Sequence, residues 1–421
     1  MTLPDPPERF LRALFDKAVE VADPMRSIAG HLPPKPQGRV VVVGAGKASA
    51  RMAEAVEAAW GPCEGLVITR YGYDRPCQGI RIAVAAHPVP DEAGLAATAE
   101  MLGLVGGLGP DDFVLALISG GASALLVAPV AGVTLAEKQA LNAALLASGA
   151  PIDKMNTVRK HLSQVKGGQL AAAAYPARML TLMISDVPGD DPAFIGSGPT
   201  VGDLSSPAEA LAILEHWQVP VPAAARAALA RGSSVIRPDD VRLSRVENRI
   251  YAGPAQSLSA AATMAEAAGC EVRLLGDALE GEAREVATAQ AAMARRVHAS
   301  LGQGDRPVLL LSGGELTVTR KGNGIGGPNA EFCLALAIAL DGHPGIHAIA
   351  CDTDGVDGAA EVAGAIVHPG TLAAARALGL SPDRSLAAND AHGFFSSIGG
   401  QVVTGPTLTN VNDFRAILIS P

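Results

Sequence analysis

The residues able to do chemistry are gathered in short polar phrases, each set directly after an apolar run. In GAGKAS, residues 44–49, Gly44 and Gly46 free the backbone for a tight turn and Lys47 supplies a cation. Backbone N–H groups at such a strand-to-helix turn hold a phosphate or carboxylate, and a lysine there is costly to bury unless it meets an anion. Glycines that merely permit the turn explain the fragment equally well. In SGGASAL, residues 119–125, Ser119, Gly120 and Gly121 read as a second anion nest or as a plain small-residue turn, and the spacing is not the G-x-S-x-G of a nucleophile elbow. NTVRKHLSQVKGGQLA, residues 156–171, concentrates Arg159, Lys160, His161 and Lys166. Asn156, His161 and Lys166 could line a phosphate site, against the ordinary reading of a charge run as a solvated helix face. SDVPGDD, residues 185–191, puts Asp186, Asp190 and Asp191 after a strand. Mg²⁺ takes one or two protein carboxylates plus substrate phosphates, so these acids suit it, whereas an Asp/Gly/Pro turn accounts for one or two acids more easily than for three. DTDGVDG, residues 352–358, carries Asp352, Asp354 and Asp357 in a similar place but lacks the later ligands of a calcium loop.

Buried strands must position these turns. VVVV at 40–43, FVLALI at 113–118, LTLMI at 180–184, VLLL at 308–311 and HAIAC at 347–351 are continuous apolar runs, and the stretches between them are Ala/Leu-rich with helical spacing. Strands buried on both faces read this way, and the alternation is that of an α/β protein. Ala48, Met52, Val56 and Ala59 form one apolar helix stripe behind the first glycine turn. Ligands of open parallel sheets bind beyond the carboxyl ends of the strands, where the polar turns lie. The 421 residues imply two domains, and between about 200 and 245 the pattern weakens, with prolines at 207, 220, 222 and 238. The boundary is placed near 235, giving segments 1–235 and 236–421.

Composition excludes several classes. Lys and Arg number 33 against 42 Asp and Glu, a net charge of −9, so no basic footprint exists for nucleic acid or an anionic membrane. Hydrophobic residues at 48% rule out extensive disorder. Five scattered cysteines with no C-x-x-C pair suggest neither a disulfide framework nor a cysteine zinc site, which fits the cytoplasm. The start, MTLPDPPERF, lacks the basic and apolar regions of a secretory leader. The uncharged-rich stretch from Phe113 to Ala136 contains Ser119, Gly120, Gly121, Ser123 and Pro129 and reads as strand, turn and helix start, not a membrane span. A nicotinamide fingerprint would need Gly or Ala where Ser49 stands, and the run LVIT at 66–69 ends in Arg70, not the acid that takes an NAD ribose.

Nine phrases in order resemble the MOFRL-type glycerate kinases, the glycerate 2-kinase family, some of whose members have been labelled hydroxypyruvate reductases. They are VVVGAGKAS, HPVPDEAG at 87–94, SGGASALL, KHLSQVKGGQLA, SDVPGDDPAFIGSGPT, LSGGELTV at 311–318, GGPNAEF at 326–332, DTDGVDG, and ND-x-HGFF with TGPTLTNVND, spanning about residues 10 to 418. The resemblance implies a Rossmann-like parallel-sheet N-terminal domain, a smaller α/β C-terminal MOFRL domain, and an interdomain cleft where ATP phosphorylates D-glycerate at its 2-hydroxyl with Mg²⁺. By the same resemblance Lys47 neutralises a transferring phosphate or the glycerate carboxylate, beside the nest of Ser119, Gly120 and Gly121. Asp186 and Asp190 hold Mg²⁺ or accept the hydroxyl proton. Glu315, Asn329, Glu331, Asp354 and Asp357 complete the site from the second domain, with Asn410 and Asn412 as substrate contacts. In one place the chain departs from the pattern: the loop before GGPNAEF commonly carries arginines in similar proteins, whereas here Asn323 and Ile325 stand between glycines, with Arg320 and Lys321 as substitutes. A nicotinamide-dependent hydroxypyruvate reductase and a non-catalytic metabolite sensor are the alternatives, and the sequence is compatible with a homodimer.

Overall fold

The computed structural model describes residues 6–187 and 189–421; the first five residues of MTLPDPPERF, and Pro188 of the acidic loop, lie outside them. The described chain falls into two compact units, Pro24–Tyr251 and a second made of Ala252–Pro421 together with the chain up to Asp23.

The first unit is built on β1 (Val40–Ala45), β2 (Glu64–Arg70), β3 (Ile80–Ala85), β4 (Phe113–Ile118), β5 (Arg178–Ile184) and β6 (Val246–Ala252), in the order β3-β2-β1-β4-β5-β6. The pairs β3–β2, β2–β1, β1–β4 and β4–β5 are all parallel. This order reverses direction between β1 and β4, the crevice where doubly wound α/β sheets bind ligands. The sequence dictates the arrangement: β1 and β4 are buried at every position, so both faces must be covered and no charged side chain can lie within either strand. Ala45 is in register with Ile118, so the GAGKAS and SGGASAL turns leave the sheet side by side.

The second unit carries β7 (Glu271–Gly276), β8 (Val308–Ser312), β9 (Ile346–Asp352), β10 (Gly364–Val367), β11 (Gln401–Val402) and β12 (Asp413–Ile419), in the order β11-β10-β9-β12-β8-β7. Here β7 and β8 run parallel and the remaining pairs are antiparallel, which makes the sheet mixed.

The compact units divide elsewhere than residue 235, for two physical reasons. The stretch 200–251 is bound onto the first unit: Ile236 N–H donates to Gly167 O at 2.9 Å, Asp203 N–H donates to Ile236 O at 2.8 Å, and β6 closes the sheet beside β5. At the other end, the helix Pro7–Ala22 buries Phe10, Leu11, Leu14, Phe15 and Ala18 among Leu258, Leu309, Phe414 and Leu418, all from the far end of the chain. The stretch around Phe113–Ala136 forms β4, a short helix and the start of the helix Leu135–Ala147, and among the described residues no helix is long and apolar enough to cross a membrane.

Candidate functional site

The two glycine turns are tied to each other through Ser119. Gly46 has φ +141°, and a Cβ there would lie 2.1 Å from Ser119 Oγ and 2.6 Å from Ser119 O, so only glycine admits this approach. Ser119 Oγ accepts from Ala48 N–H at 3.1 Å and meets Ser49 Oγ at 3.1 Å, while Ser49 Oγ donates to Leu117 O at 2.9 Å. Ser119 is buried, and its hydroxyl joins the turns instead of facing solvent. Gly44 packs on β4, where a Cβ would lie 2.3 Å from Leu117 O. Lys47 N–H donates to Gly120 O at 2.8 Å, and its side chain is half-buried. Gly121 takes φ +81°; a Cβ there would meet His87 Nε2 at 3.1 Å and Lys47 Cγ at 3.2 Å. His87 thus shares this corner with Lys47. It belongs to the HPVPDEAG phrase, but only the fold brings it to Gly121.

At the carboxyl end of β5 the acidic loop is wound through unusual backbone. Gly189, Asp190, Gly196, Ser197 and Gly198 all have φ between +53° and +80°. Non-glycine residues held in this region cost about 1–3 kcal/mol each and gather at functional sites. Among the described residues, the buried Asp190 Oδ1 has no hydrogen-bond partner. A carboxylate oxygen left so suits a cation or a proton, since burial without compensation is costly. Asp186 is half-buried at the strand end. Asp191 is explained locally, because its Oδ1 accepts from Ala193 N–H at 2.8 Å in a turn. No group of three or more His, Cys, Asp or Glu side chains is placed to hold a metal among the described residues.

The basic segment folds as the helix Ile152–His161 and the turn after it. Asn156 Oδ1 accepts from Ser197 Oγ at 3.3 Å and from Arg159 Nη1 at 3.4 Å, and Ser197 Oγ meets Ser123 Oγ at 2.9 Å. Lys166 is fully buried and donates to Ser123 O at 2.8 Å and Leu126 O at 3.1 Å, bracing the SGGASAL turn. Burial, with Lys138, Arg159 and Lys160 nearby, pushes its pKa well below the ordinary lysine range. Lys160 pairs with Asp203 at 2.6 Å. His161 lies between Ser233 at 2.7 Å and Ser205 at 3.0 Å, its pKa lowered by burial.

In the second unit most of the expected residues are engaged internally. Asp357 is an anchor for the helix Pro328–Leu340: its Oδ1 accepts from Asn329 N–H at 3.0 Å, and its Oδ2 from Ala330 N–H at 2.8 Å and from His392 Nε2 at 3.0 Å. Carboxylates are favoured at a helix start. Asn329 Nδ2 donates to Asp413 Oδ1 at 2.7 Å, leaving Asn329 Oδ1 buried and unpartnered. Burial pushes the Asp413 carboxyl up to about 6 despite Arg415 Nη1 at 2.9 Å. Glu331 is buried between Arg284 Nε at 2.9 Å and Asn389 Nδ2 at 3.0 Å. Asp354 Oδ1 accepts from Val356 N–H at 2.8 Å. Asn410 Oδ1 accepts from Asn412 N–H at 3.1 Å, and Asn412 Oδ1 from Asp413 N–H at 2.8 Å, so both hold the turn before β12. Glu315 is exposed.

The loop 320–327 is clamped by the Asn389–Asp390 pair. Asn389 Oδ1 accepts from Lys321 N–H at 2.7 Å and Gly322 N–H at 2.8 Å, and Asp390 Oδ1 accepts from Ile325 N–H at 3.0 Å. Arg320 folds back on its own loop, donating through Nε to Gly322 O at 3.2 Å. Asn389, Asp413 and Arg415 are buried partners that the residue types alone do not distinguish.

Residues 10–230 match a family described as a domain of unknown function (DUF4147), and residues 308–413 match the MOFRL family. The chain is 52% identical over 413 residues to an Agrobacterium vitis protein whose name proposes a hydroxypyruvate reductase, covering 97% of this chain and 94% of the relative. It is 38% identical to D-glycerate 2-kinase of Thermotoga maritima, over 96% of this chain and 97% of that one. The crystal structure of a Thermotoga maritima glycerate kinase has a TM-score of 0.87 to this chain at 37% identity, covering 98% of this chain and 99% of its own. With near-complete coverage in both directions and the MOFRL match at the carboxyl end, the chain belongs to the MOFRL-type glycerate kinase family.

Proposed function

We propose that this chain transfers the γ-phosphoryl group of ATP to the 2-hydroxyl of D-glycerate, releasing 2-phosphoglycerate and ADP. The observation that carries the reaction class is the grouping at one end of the first sheet. A lysine follows β1, a glycine nest follows β4, and a carboxylate with an unpartnered buried oxygen follows β5. The named relatives supply the substrate.

In this reading the new bond forms between the glycerate O2 and the γ-phosphorus as the bond to the β-phosphate oxygen breaks. Lys47 neutralises charge on the transferring group, and backbone N–H groups of the Ser119–Gly121 turn orient it, those of residues 46–49 being donated within the protein. Asp190 accepts the hydroxyl proton, and Asp186 and Asp190 are the oxygen donors that would hold Mg²⁺. Bound Mg²⁺ would supply neutralisation of phosphate oxygens, and it needs only one or two protein carboxylates. Glu315, Asn410 and Asn412 are the candidates in the other unit for contacts to substrate or nucleotide. Five cysteines without disulfides support the cytoplasm as the compartment.

A reductase reading is favoured by the names of the Agrobacterium relatives. Ser49 does not oppose it, since its buried hydroxyl bonds to Leu117 O and permits close packing of the helix on β4. Arg70 at the end of β2 stands in place of the acid that binds an NAD ribose, although arginine is the type that accommodates the 2′-phosphate of NADP. Purified protein is expected to release ADP from MgATP only when D-glycerate is added, and to oxidise neither NADH nor NADPH with hydroxypyruvate. Reduced-nucleotide oxidation without glycerate-dependent ADP release would reverse the assignment.

A further inference from the structure

The loop that follows β3 is held so that His87 stands over the SGGASAL turn. β3 runs parallel to β2, and β2 to β1, so the HPVPDEAG phrase leaves the sheet at the same end as GAGKAS. Hydrogen bonds from neighbouring elements fix it there. Tyr71, the residue after β2, donates its N–H to Ala85 O at 3.2 Å and its Oη–H to Asp91 Oδ2 at 2.8 Å, and Gln139 Nε2 on the helix Leu135–Ala147 donates to Pro90 O at 2.6 Å. Asp91 in turn caps the helix Glu92–Val105, its Oδ1 accepting from Gly94 N–H at 3.0 Å. The half-buried imidazole is thus carried on a short loop pinned on both sides of it. A Cβ on Gly121 would lie 3.1 Å from His87 Nε2 and 3.2 Å from Lys47 Cγ, so the imidazole and the lysine stem converge on one point of the turn. The turn's own donors complete this corner. Ser119 N–H donates to Ala45 O at 3.2 Å and Ala122 N–H to Ser119 O at 3.3 Å, but among the described residues Gly120 N–H and Gly121 N–H have no acceptor, although Gly120 is buried. Buried backbone N–H groups are nearly always paired, and successive N–H groups in a turn make an anion-binding concavity.

We propose that His87 binds the phosphoryl group in transfer, donating from Nε2–H to one of its oxygens while Gly120 N–H and Gly121 N–H donate to the others and Lys47 neutralises their charge. The proposal rests on the kinase reading above and adds to it a residue that contacts the reacting group. During transfer the γ-phosphoryl group spreads its charge over three equatorial oxygens. Donors that converge from the loop after β3, the turn after β4 and the turn after β1 match such a group, whereas a carboxylate, with two oxygens, is met in full by a single guanidinium fork. Donors fixed in advance are worth most, because nothing need reorganise as charge develops, and the bonds from Tyr71 and Gln139 to the HPVPDEAG loop supply that fixity. The ring keeps its proton throughout: His87 forms no bond to phosphorus, and the hydroxyl proton goes to Asp190. Glycine at 121 serves this corner twice, by taking φ +81° and by leaving open the space where a side chain would meet both the imidazole and the lysine stem.

The test uses the full-length parent protein with His87→Ala, His87→Gln and His87→Asn. Glutamine places an amide N–H near the position of Nε2 and asparagine places one near Nδ1, so the two separate a contact to phosphate from a contact within the loop. With saturating MgATP and D-glycerate, His87→Ala is expected to lower kcat by about 10²-fold, His87→Gln to recover a large part of that loss, and His87→Asn to behave as His87→Ala does. The glycerate KM should change little in all three. Calorimetry adds a readout without turnover: the magnesium complex of the β,γ-imido analogue of ATP should bind His87→Ala about tenfold more weakly than the parent, while MgADP, which lacks the γ-phosphoryl group, binds both alike. Ligand-free melting temperatures should stay close to the parent's. A parent-like kcat in His87→Ala, an equal loss of MgADP affinity, rescue by asparagine instead of glutamine, or a melting temperature that falls in step with activity would overturn the proposal. Selective loss of the imido analogue in His87→Ala, in a protein whose parent releases no ADP when glycerate is added, would uphold the phosphate contact and remove the kinase reading. Glycerate-dependent turnover untouched by His87→Ala would do the reverse, and a parent that neither binds nor turns over nucleotide would remove both.

Discussion

At the scale of single residues, the proposed reaction assigns its chemistry to Asp190 and Lys47, and variants at each separate that role from stability. Asp190→Asn keeps a residue type that tolerates the left-handed backbone and removes a charge whose Oδ1 has no partner. Its melting temperature should therefore equal or exceed the parent's while turnover falls. Lys47→Ala should lower kcat by about 10²–10³ with the fold intact, and Lys47→Arg should not fully restore it, because a wide guanidinium does not fit a turn that holds a slim ammonium stem. Parent-like kinetics in both Lys47→Ala and Asp190→Asn, or losses that merely track unfolding, would remove these residues from the mechanism. Lys138 gives a test with a definite sign in pH. Burial and Arg159 hold its folded pKa near 8, below the ordinary 10.5, so between those values the unfolded chain binds more protons and the parent gains stability as pH rises. Lys138→Met should be more stable than the parent at pH 7, by about 3 kcal/mol at most, and the gap should close between pH 8 and 10.5. Urea midpoints of both proteins across that range decide it, and a gap independent of pH would contradict the burial argument.

At the scale of elements, the two glycine turns form one unit. Gly46→Ala should cost both activity and stability, and Ser119→Ala should not rescue it, since the Ser119 backbone oxygen would still lie 2.6 Å from the new Cβ. Paired unfolding and kinetic measurements on the single and double variants test this, and full rescue would show the hydroxyl alone to be the obstacle. The reason the turns are legible in the sequence is physical: continuous apolar runs must be strands buried on both faces, and glycines directly after them mark where the backbone crowds. Helix spacing is similarly readable in Met52 and Val56, both buried, but fails at Ala59, which is exposed in the last turn of its helix. Asp357 looks like Asp190 in sequence, an acid in a Gly/Asp phrase after a strand. Only the fold brings it to the start of the helix Pro328–Leu340, where backbone N–H groups and His392 occupy it. Lys160 is hidden in the same way, because a charge run reads identically whether its helix faces solvent or buries a cation against a partner such as Asp203.

At the scale of the whole molecule, the helix Pro7–Ala22 binds the chain's beginning to its last third. Phe15 is fully buried and its ring lies 5.9 Å from that of Phe414 on β12. Phe15→Ala should cost about 3–5 kcal/mol, and the loss should appear as faster amide exchange in β9 and β12 with β1 and β4 unaffected; uniform loss across both sheets would contradict the division into these units. That division lies beyond the sequence pattern, since the proline-rich stretch 200–245 looks like a linker until its backbone is seen bonded to Gly167. Everything functional turns on whether a doubly wound sheet, with Lys47, Asp186 and Asp190 at its switch-point end, phosphorylates glycerate on its secondary hydroxyl. Phosphorus NMR of the product, after incubating the protein with MgATP and D-glycerate, reads this without an intermediary. The expected resonance is that of 2-phosphoglycerate, growing in step with ADP and strongly reduced in Lys47→Ala; 3-phosphoglycerate, or no phosphorylated acid at all, would contradict the proposed reaction.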